Sequence, residues 1–137
     1  TISPFSKYIL EEYIKKSGHD IYANKQLRLV IQQIERNDPI GFIDLFDFDP
    51  FHMRAGIGIV ISEKERRKHF AENALSLVIN YAFKTLRLHQ LYCQIAEDNT
   101  KSLHLFEKSG FKITGKKEQW LNSESGFKNV YFLQLIG

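Results

Sequence analysis

The segment ERRKHFAENAL, residues 65–75, joins a block of positive charge directly to the apolar spacing of a helix. The first turn of a helix carries unpaired N–H groups and the positive end of the helix dipole, so a phosphate is stabilised there. Arg66, Arg67 and Lys68 would add charge-assisted donors at the same place. This pattern predicts either a phosphate-binding loop or a basic loop that is only solvated.

The other residue types that often do chemistry give weaker signals. Cys93 is the only cysteine and lies in an apolar segment, which predicts a buried, inert thiol and a reducing compartment, the cytoplasm. The five histidines show no paired metal-ligand spacing. Asp47 and Asp49 lack the later ligands of a calcium loop, so we expect no metal site.

Two strands and a helix must position the basic loop. Apolar residues that alternate with period two predict a strand over residues 55–61, and apolar spacings of three and four predict a helix over residues 71–86. The strand-like segment 89–96 comes next. This order predicts a βαβ crossover in which the two strands are parallel and adjacent.

The remaining segments predict a mixed α/β domain that covers the whole chain, residues 1–137. A helix is expected from Ser3 as N-cap to Ser17-Gly18, because apolar side chains over residues 5–14 recur at helical spacing. A short helix is expected to start at Asn99 or Thr100 and to end at Gly110, with Phe111 folded back on the helix end. Further strands are expected over residues 27–35, 40–48, 111–120 and 127–136.

Composition argues against several classes of protein. With 43% apolar residues, 3 prolines and 8 glycines in 137 residues, the chain has the composition of an ordered globular domain. Its net charge of +3 permits contacts with phosphates but argues against a dedicated nucleic-acid-binding protein. No apolar run approaches the roughly 18 residues that a membrane span needs, so no membrane contact is expected.

Four segments carry a resemblance to a known family. They are Ile59-Val60-Ile61, Arg66-x-x-x-Phe70-Ala71, Leu88-His89-x-x-Tyr92, and the run Asn99-x-x-Ser102-x-x-x-Phe106-Glu107-Lys108-x-Gly110-Phe111. Together they resemble the GNAT superfamily of acetyl-coenzyme A-dependent N-acetyltransferases. Within it, the chain is most similar to the branch that holds ribosomal-protein N-terminal acetyltransferases and spermidine or diamine N-acetyltransferases.

The resemblance covers nearly the whole chain and implies a fold. This is an α/β (α+β) fold with a central mixed, largely antiparallel sheet, one parallel βαβ crossover, and flanking helices. In the family a strand and a helix precede the segment seen here, so we expect the chain to be truncated before Thr1.

The resemblance also implies a site for acetyl-coenzyme A. The family's pyrophosphate loop matches residues 66–71, with His69 in place of the central glycine; this adds a Cβ and a ring but also a possible donor to phosphate. Backbone groups of residues 59–61 would bind the pantetheine arm, and one amide would act as an oxyanion donor. The implied coenzyme-binding residues are Ile59, Val60, Ile61, Arg66, Arg67, Lys68, His69, Phe70, Ala71, Asn99, Ser102 and Phe106.

The groups that would move protons are less well defined. Phe106 stands where the family usually places a tyrosine that reprotonates the departing thiolate, and phenylalanine has no proton to donate. Asp44, Asp47 and Asp49 are weak candidates for the base that deprotonates the amine, and at least two of them are expected to form only a strand end and a turn. Gly56 occupies the position where related chains often carry a glutamate.

The function implied by the resemblance is transfer of acetyl from acetyl-coenzyme A to a primary amine by direct attack in a ternary complex. The acceptor would be a polyamine or diamine, or the N-terminal amine of a protein, and a homo-oligomer is left open. His69 and Phe106 keep a first alternative open, a GNAT-fold module with weak or no activity and a binding or assembly role.

A second alternative is a nucleic-acid-binding domain. It would use the basic residues Arg28, Arg66, Arg67, Lys68, Lys116 and Lys117. Because these residues are scattered along the chain without interleaved aromatic residues, this alternative is the least favoured.

Overall fold

Seven strands form one sheet in the residues that the computed structural model describes, which are 8–13, 21–33, 39–61 and 70–137. Three helices accompany the strands in these ranges. In chain order the elements are β1 (Tyr8–Tyr13), α1 (Ile21–Asn24), β2 (Leu27–Gln33), β3 (Pro39–Asp49), β4 (Arg54–Ile61), α2 (Phe70–Lys84), β5 (Gln90–Ala96), α3 (Thr100–Lys108), β6 (Lys112–Ser123) and β7 (Gly126–Ile136).

The strands lie in the order β1-β2-β3-β4-β5-β7-β6. All neighbouring pairs are antiparallel except β4 and β5, which are parallel and joined through α2. The predicted βαβ crossover and the predicted mixed, largely antiparallel sheet are therefore confirmed. From β2 onward, the strands and the two longer helices match the predicted segments, with ends that differ by a few residues.

The core lies on one face of this sheet. On β4 and β5, alternate side chains such as Ile57 and Leu91 are buried, and α2 packs over β3, β4 and β5 with Leu75 and Val78. Each apolar side chain of this size stabilises the fold by about 1.5–3 kcal/mol when it is fully buried. The period-two and helical spacings in the sequence therefore correspond to one continuous core.

The second face of the sheet is only partly buried, and we call it the open face. Strand register places one set of side chains from β2, β3, β4, β5 and β7 on it, since directly paired residues share a face. The open face carries Arg28, Asp44, Phe46, Gly56, Gly58, Val60, Tyr92, Gln94, Phe132 and Gln134.

The first described element differs from the prediction. A helix was expected from Ser3 to Ser17-Gly18, but Tyr8–Tyr13 is strand β1, antiparallel to β2; the rest of the predicted helix lies outside the described residues. A few apolar side chains in a short segment fit a helix or a strand equally well, and tyrosine and isoleucine favour strands. Pairing with the edge of β2 decides between the two.

Strand β3 contains a β-bulge near its end. The pairing with β4 runs to Phe46 opposite Gly56 and resumes only at Asp49 opposite Arg54, so β3 holds one extra residue. Asp47 takes a left-handed φ of 48° there, and the backbone N–H of Phe48 donates to the carbonyl of Lys25 at 2.9 Å. The bulge turns Phe48 into the core and leaves Phe46 on the open face.

Candidate active site

The central feature of the site is a gap between the two parallel strands. β4 pairs with β5 only from Arg54, opposite Gln90, to Gly56, opposite Tyr92. Beyond this point β4 continues beside β3 to Ile61, and β5 continues beside β7 to Ala96. The two strands therefore separate toward their carboxyl ends, and we call the space between residues 57–61 and 93–96 the cleft.

The cleft edge of β4 offers backbone groups rather than side-chain groups. Ile61 is buried in the core and Ile59 packs against it, whereas Val60 is 51% exposed on the open face. Within the described ranges, residues 57–60 have no partner on β5, so a ligand in the cleft would meet backbone groups that no neighbouring strand uses. Packing of the side chains and ligand binding by the backbone are compatible, as the sequence suggested, and coenzyme contact by these residues stays a prediction.

The first turn of α2 lies against the last turn of α3. Phe70, the first residue of α2, is buried, and Ala71 follows it at the helix start. Glu72 in this first turn forms an ion pair with Lys108 in the last turn of α3, with Oε2 and Nζ 3.3 Å apart. Residues 66–69, predicted to bind the pyrophosphate, lie outside the described residues.

Asn99 is the N-cap of α3. Its Oδ1 accepts the backbone N–H of Ser102 at 3.3 Å, and its own N–H donates to the carbonyl of Ala96, the last residue of β5. The capping prediction is confirmed. Asn99 thus lies where β5 leaves the cleft, which is compatible with the predicted coenzyme contact of Asn99 and Ser102.

The loop that carries Asn99 is tied to β7. The backbone N–H of Asn129 donates to Glu97 Oε2, and the N–H of Glu97 donates to the carbonyl of Asn129 at 3.0 Å. Lys128 forms an ion pair with Asp98, and its hydrogen bond holds the pKa of that carboxyl below its usual value. These contacts fix the start of α3 against the sheet.

Phe106 is held at the end of α3 by a Schellman motif. The N–H of Phe111 donates to the carbonyl of Phe106, and the N–H of Gly110, at φ 102°, donates to the carbonyl of Glu107, both at 3.0 Å. The two phenylalanine rings meet edge to face at 5.1 Å, and Phe106 is 3% exposed. The predicted helix end at Gly110 is confirmed, and Phe106 supplies core packing but no proton.

Two of the three candidate aspartates have structural partners. Asp44 accepts two hydrogen bonds from Arg28, at 2.7 and 2.8 Å, and the Arg28 guanidinium lies over the ring of Phe42. Asp49 accepts the backbone N–H of His52 and pairs with its ring nitrogen, both at 2.9 Å. These contacts hold the pKa of Asp49 below its usual value, and the hydrogen bond from the backbone N–H of His52 is the largest cause.

Asp47 differs from these two residues. It is exposed at the β-bulge, and no hydrogen bond or ion pair of its side chain is found within the described part of the chain. Burial raises the pKa of Tyr92, and the charge of Asp47 raises it further. Asp47 is the candidate base that is least engaged elsewhere, and that role stays a prediction.

Cys93 is buried, as predicted. Its side chain is 3% exposed on the core face of β5, and burial raises the pKa of the thiol to about 12. The thiol is therefore protonated at neutral pH and unreactive as a nucleophile.

Three basic residues of the nucleic-acid alternative lie within the described ranges, and they do not form one surface. Arg28 on β2 and Lys116 and Lys117 on β6 lie toward opposite ends of the strand order. Lys116 lies 3.8 Å from Glu118, and Lys117 lies over the ring of Trp120. These placements do not support that alternative.

Two further features of the described residues concern metals and membranes. No group of three or more His, Cys, Asp or Glu side chains is placed to hold a metal ion in these ranges. The helices of the same ranges are too short or too polar to span a membrane.

A row of aromatic rings on the open face was not anticipated from the sequence. Tyr92 stacks on Phe132 with ring centroids 5.5 Å apart, and meets Phe46 edge to face at 6.3 Å. Gly56 lies between Phe46 and Tyr92 in the strand order and makes room for this contact, because a Cβ there would lie 2.2 Å from the Phe46 ring. Glycine within a strand was the one signal that could have indicated such close packing.

Comparison with known proteins gives N-acetyltransferases, among them two bacterial enzymes that act on spermidine by name. Spermidine N(1)-acetyltransferase of Vibrio cholerae is 32% identical over 128 residues, which is 91% of this chain and 72% of the relative. The Escherichia coli enzyme of the same name is 28% identical over 114 residues, and the chain spans only 59% of its length.

Solved structures of the Vibrio cholerae enzyme share the fold. Its crystal structure in complex with CoA and spermine superposes with a TM-score of 0.79 at 26% identity, covering 85% of this chain and 68% of that one. Another structure of the same enzyme is dodecameric. The family model for the acetyltransferase (GNAT) domain matches residues 3–112, most of the chain. By this match, and by the cleft between its parallel strands, the chain belongs to the GNAT acetyltransferase family.

Proposed function

We propose that the protein transfers acetyl from acetyl-coenzyme A to a primary amine of a polyamine or diamine. The observation that carries the proposal is the cleft, where β4 leaves β5 after Gly56 and backbone groups lie between the two strands. On their other edges, β4 stays paired with β3 and β5 stays paired with β7. Relatives named for spermidine acetylation, one of them solved with CoA and spermine, support the choice of donor and acceptor.

The coenzyme would lie along the carboxyl ends of β4 and β5. In this proposal, backbone groups of residues 59–61 hold the pantetheine arm, and a backbone N–H polarises the thioester carbonyl as an oxyanion donor. Residues 66–69 directly precede α2 in the chain, so their basic side chains and the helix start would together bind the pyrophosphate. Asn99 and Ser102 would line the opposite side, at the start of α3.

The reaction would proceed by direct attack in a ternary complex. The amine nitrogen, after losing a proton, forms a bond to the thioester carbonyl carbon; the C–S bond then breaks, and the CoA thiolate takes up a proton. Cys93 is buried and protonated, which argues against its acetylation as an intermediate. Since Phe106 has no hydroxyl group, we assign the protonation of the thiolate to solvent.

A homo-oligomeric state and a cytoplasmic location are further parts of the proposal. The dodecameric relative supports a homo-oligomer, and the single reduced thiol supports a cytoplasmic protein. Only the family resemblance supports protein N-terminal amines as a second class of acceptor.

A weakly active or inactive GNAT-fold module is the second candidate. Phe106 favours it, because the ring is fixed in the core by Phe111 and offers no proton donor at the position of the family's tyrosine. Such a module would bind coenzyme A weakly and release little or no thiol.

The experiment that separates the two is an amine panel on the full-length protein. Free thiol released from acetyl-coenzyme A is measured with spermidine, spermine, a short diamine and a peptide with a free N-terminus, next to calorimetric titration with acetyl-coenzyme A. We expect saturable thiol release with a polyamine. No detectable heat at millimolar acetyl-coenzyme A, together with no thiol release, would establish the module instead.

A further inference from the structure

Gly58, in the middle of β4, has no structural reason to be glycine in the described part of the chain. Its φ is not among the left-handed values, and a Cβ built on it would meet only Cε1 of Phe46, at an ordinary 3.9 Å. Gly41 and Gly56 differ, because a Cβ on either would lie 2.2 Å from Val60 O or from the Phe46 ring. A glycine in a strand interior weakens the strand and often marks a place where a ligand approaches closely.

The position of Gly58 indicates why backbone without a side chain would be useful there. It belongs to the first residues of β4 that have left β5, so it lies on the edge of the cleft. Its missing side chain would point to the open face, since Gly58 is in register with Asp44 and near Phe46. The backbone at Gly58 can therefore be reached from the open face.

The surroundings of Gly58 suit a cation on an alkyl chain. On one side lie the rings of Phe46 and Tyr92, and the Tyr92 ring stacks in turn on that of Phe132. On β3, Asp44 is directly opposite Gly58, and cross-strand neighbours have Cβ positions about 5 Å apart. Aromatic faces attract ammonium groups and pack against methylene groups. The charge of Asp44 is already paired with Arg28, so the rings, and not this carboxylate, would hold the cation.

We propose that Gly58 is the entry point of the acceptor. The reacting end of an alkylammonium substrate passes over Gly58 from the open face to the thioester in the cleft, with its chain against Phe46 and Tyr92. This inference rests on the proposed function and specifies which residues select the acceptor. Gly58 is glycine, in this proposal, because any side chain there would occupy the place of the substrate.

The test uses Gly58→Ala and Gly58→Val, with Gly115→Ala as the matched control. Gly115 on β6 also has room for a Cβ, with its first neighbour at 3.7 Å, and lies on the edge strand away from the cleft. All three variants should fold with melting temperatures at or above that of the wild type. We expect Gly58→Ala to raise the KM for spermidine about tenfold and Gly58→Val to raise it further, with the KM for acetyl-coenzyme A unchanged. Gly115→Ala should behave as the wild type.

A binding measurement separates this inference from the proposed function. Spermidine is titrated calorimetrically into the wild type and the Gly58 variants, each saturated with CoA so that no reaction occurs. Weaker binding to the variants supports the inference even if the wild type releases no thiol, in which case only the proposed function fails. Equal binding and equal KM in all proteins, or no binding of spermidine to the wild type, would overturn the inference.

Discussion

The ring of Phe46 occupies the space that a side chain at Gly56 would need: a Cβ there would meet three ring atoms at 2.2, 2.5 and 2.7 Å. Related chains often carry a glutamate at the position of Gly56. This chain cannot do so unless Phe46 moves, and the ring in turn is in contact with Tyr92. The two residues therefore form one packing unit on the open face.

The first prediction tests this unit. Gly56→Ala should destabilise the protein by about 1–3 kcal/mol through overpacking, whereas the same change in a Phe46→Ala background should cost much less, because the clashing ring is gone. Urea unfolding of the two single variants and the double variant measures the coupling. If the effects of the two changes simply add, Phe46 is not what excludes a side chain at position 56.

The second prediction concerns Phe106. Replacing it with tyrosine would supply the hydroxyl that family members use to protonate the thiolate, so we expect Phe106→Tyr to raise kcat by about tenfold or more. A buried hydroxyl without a partner would cost about 1–3 kcal/mol of stability. Phe111→Tyr, which adds a hydroxyl to the same ring pair, serves as the control and should not raise kcat. A kcat that is unchanged in Phe106→Tyr would show that proton supply to the thiolate does not limit turnover.

The third prediction separates the two roles of Asn99. Asn99→Ala removes the cap on Ser102 and should cost about 1 kcal/mol, while Asn99→Ser keeps an oxygen acceptor and should cost less. If the amide also contacts the coenzyme, Asn99→Ser will bind acetyl-coenzyme A more weakly despite its nearly normal stability. Thermal unfolding and calorimetry give the two readouts. Normal coenzyme binding by the serine variant would leave Asn99 with the capping role alone.

The fourth prediction is a dependence on pH at the β3–β4 turn. Because the pKa of Asp49 is lowered from 3.8, the unfolded chain takes up the proton more readily than the folded one. The contribution of Asp49 to the turn is therefore present above about pH 4 and lost as the pH falls through the lowered pKa. Amide exchange at His52 and the carboxyl chemical shift of Asp49 should follow this loss. Asp49→Asn, which keeps an acceptor for the His52 N–H, should show no such change, and an Asp49 that titrates above 3.8 would contradict the prediction.

Local signals in the sequence predicted much of this structure. The alternation in β4, the helical spacing in α2, the cap at Asn99 and the Schellman motif at Gly110 each depend on a few neighbouring residues, and each is present as expected. The parallel pairing of β4 and β5 followed from the order of the elements alone.

Features that depend on strand register could not be predicted in this way. The pairing of Arg28 with Asp44 and the aromatic row each join strands through a register that one sequence does not reveal. The β-bulge at Asp47 depends on a hydrogen bond from Phe48 to Lys25, more than twenty positions away. As a result, the sequence predicted the parallel pair of strands but not the character of the surface beside it.

The short pairing between β4 and β5 has a consequence for the stability of the sheet. It joins one antiparallel unit, β1 to β4, to another formed by β5, β7 and β6, and only three residue pairs connect the two units of the sheet directly. Units of this kind can open locally at less cost than global unfolding. A molecule seated between the two units would act as a bridge, and its binding free energy would be added to their cohesion. Ligand occupancy would then determine how well the middle of the sheet is protected from proteolysis and from amide exchange. Both kinds of protection would rise with ligand concentration.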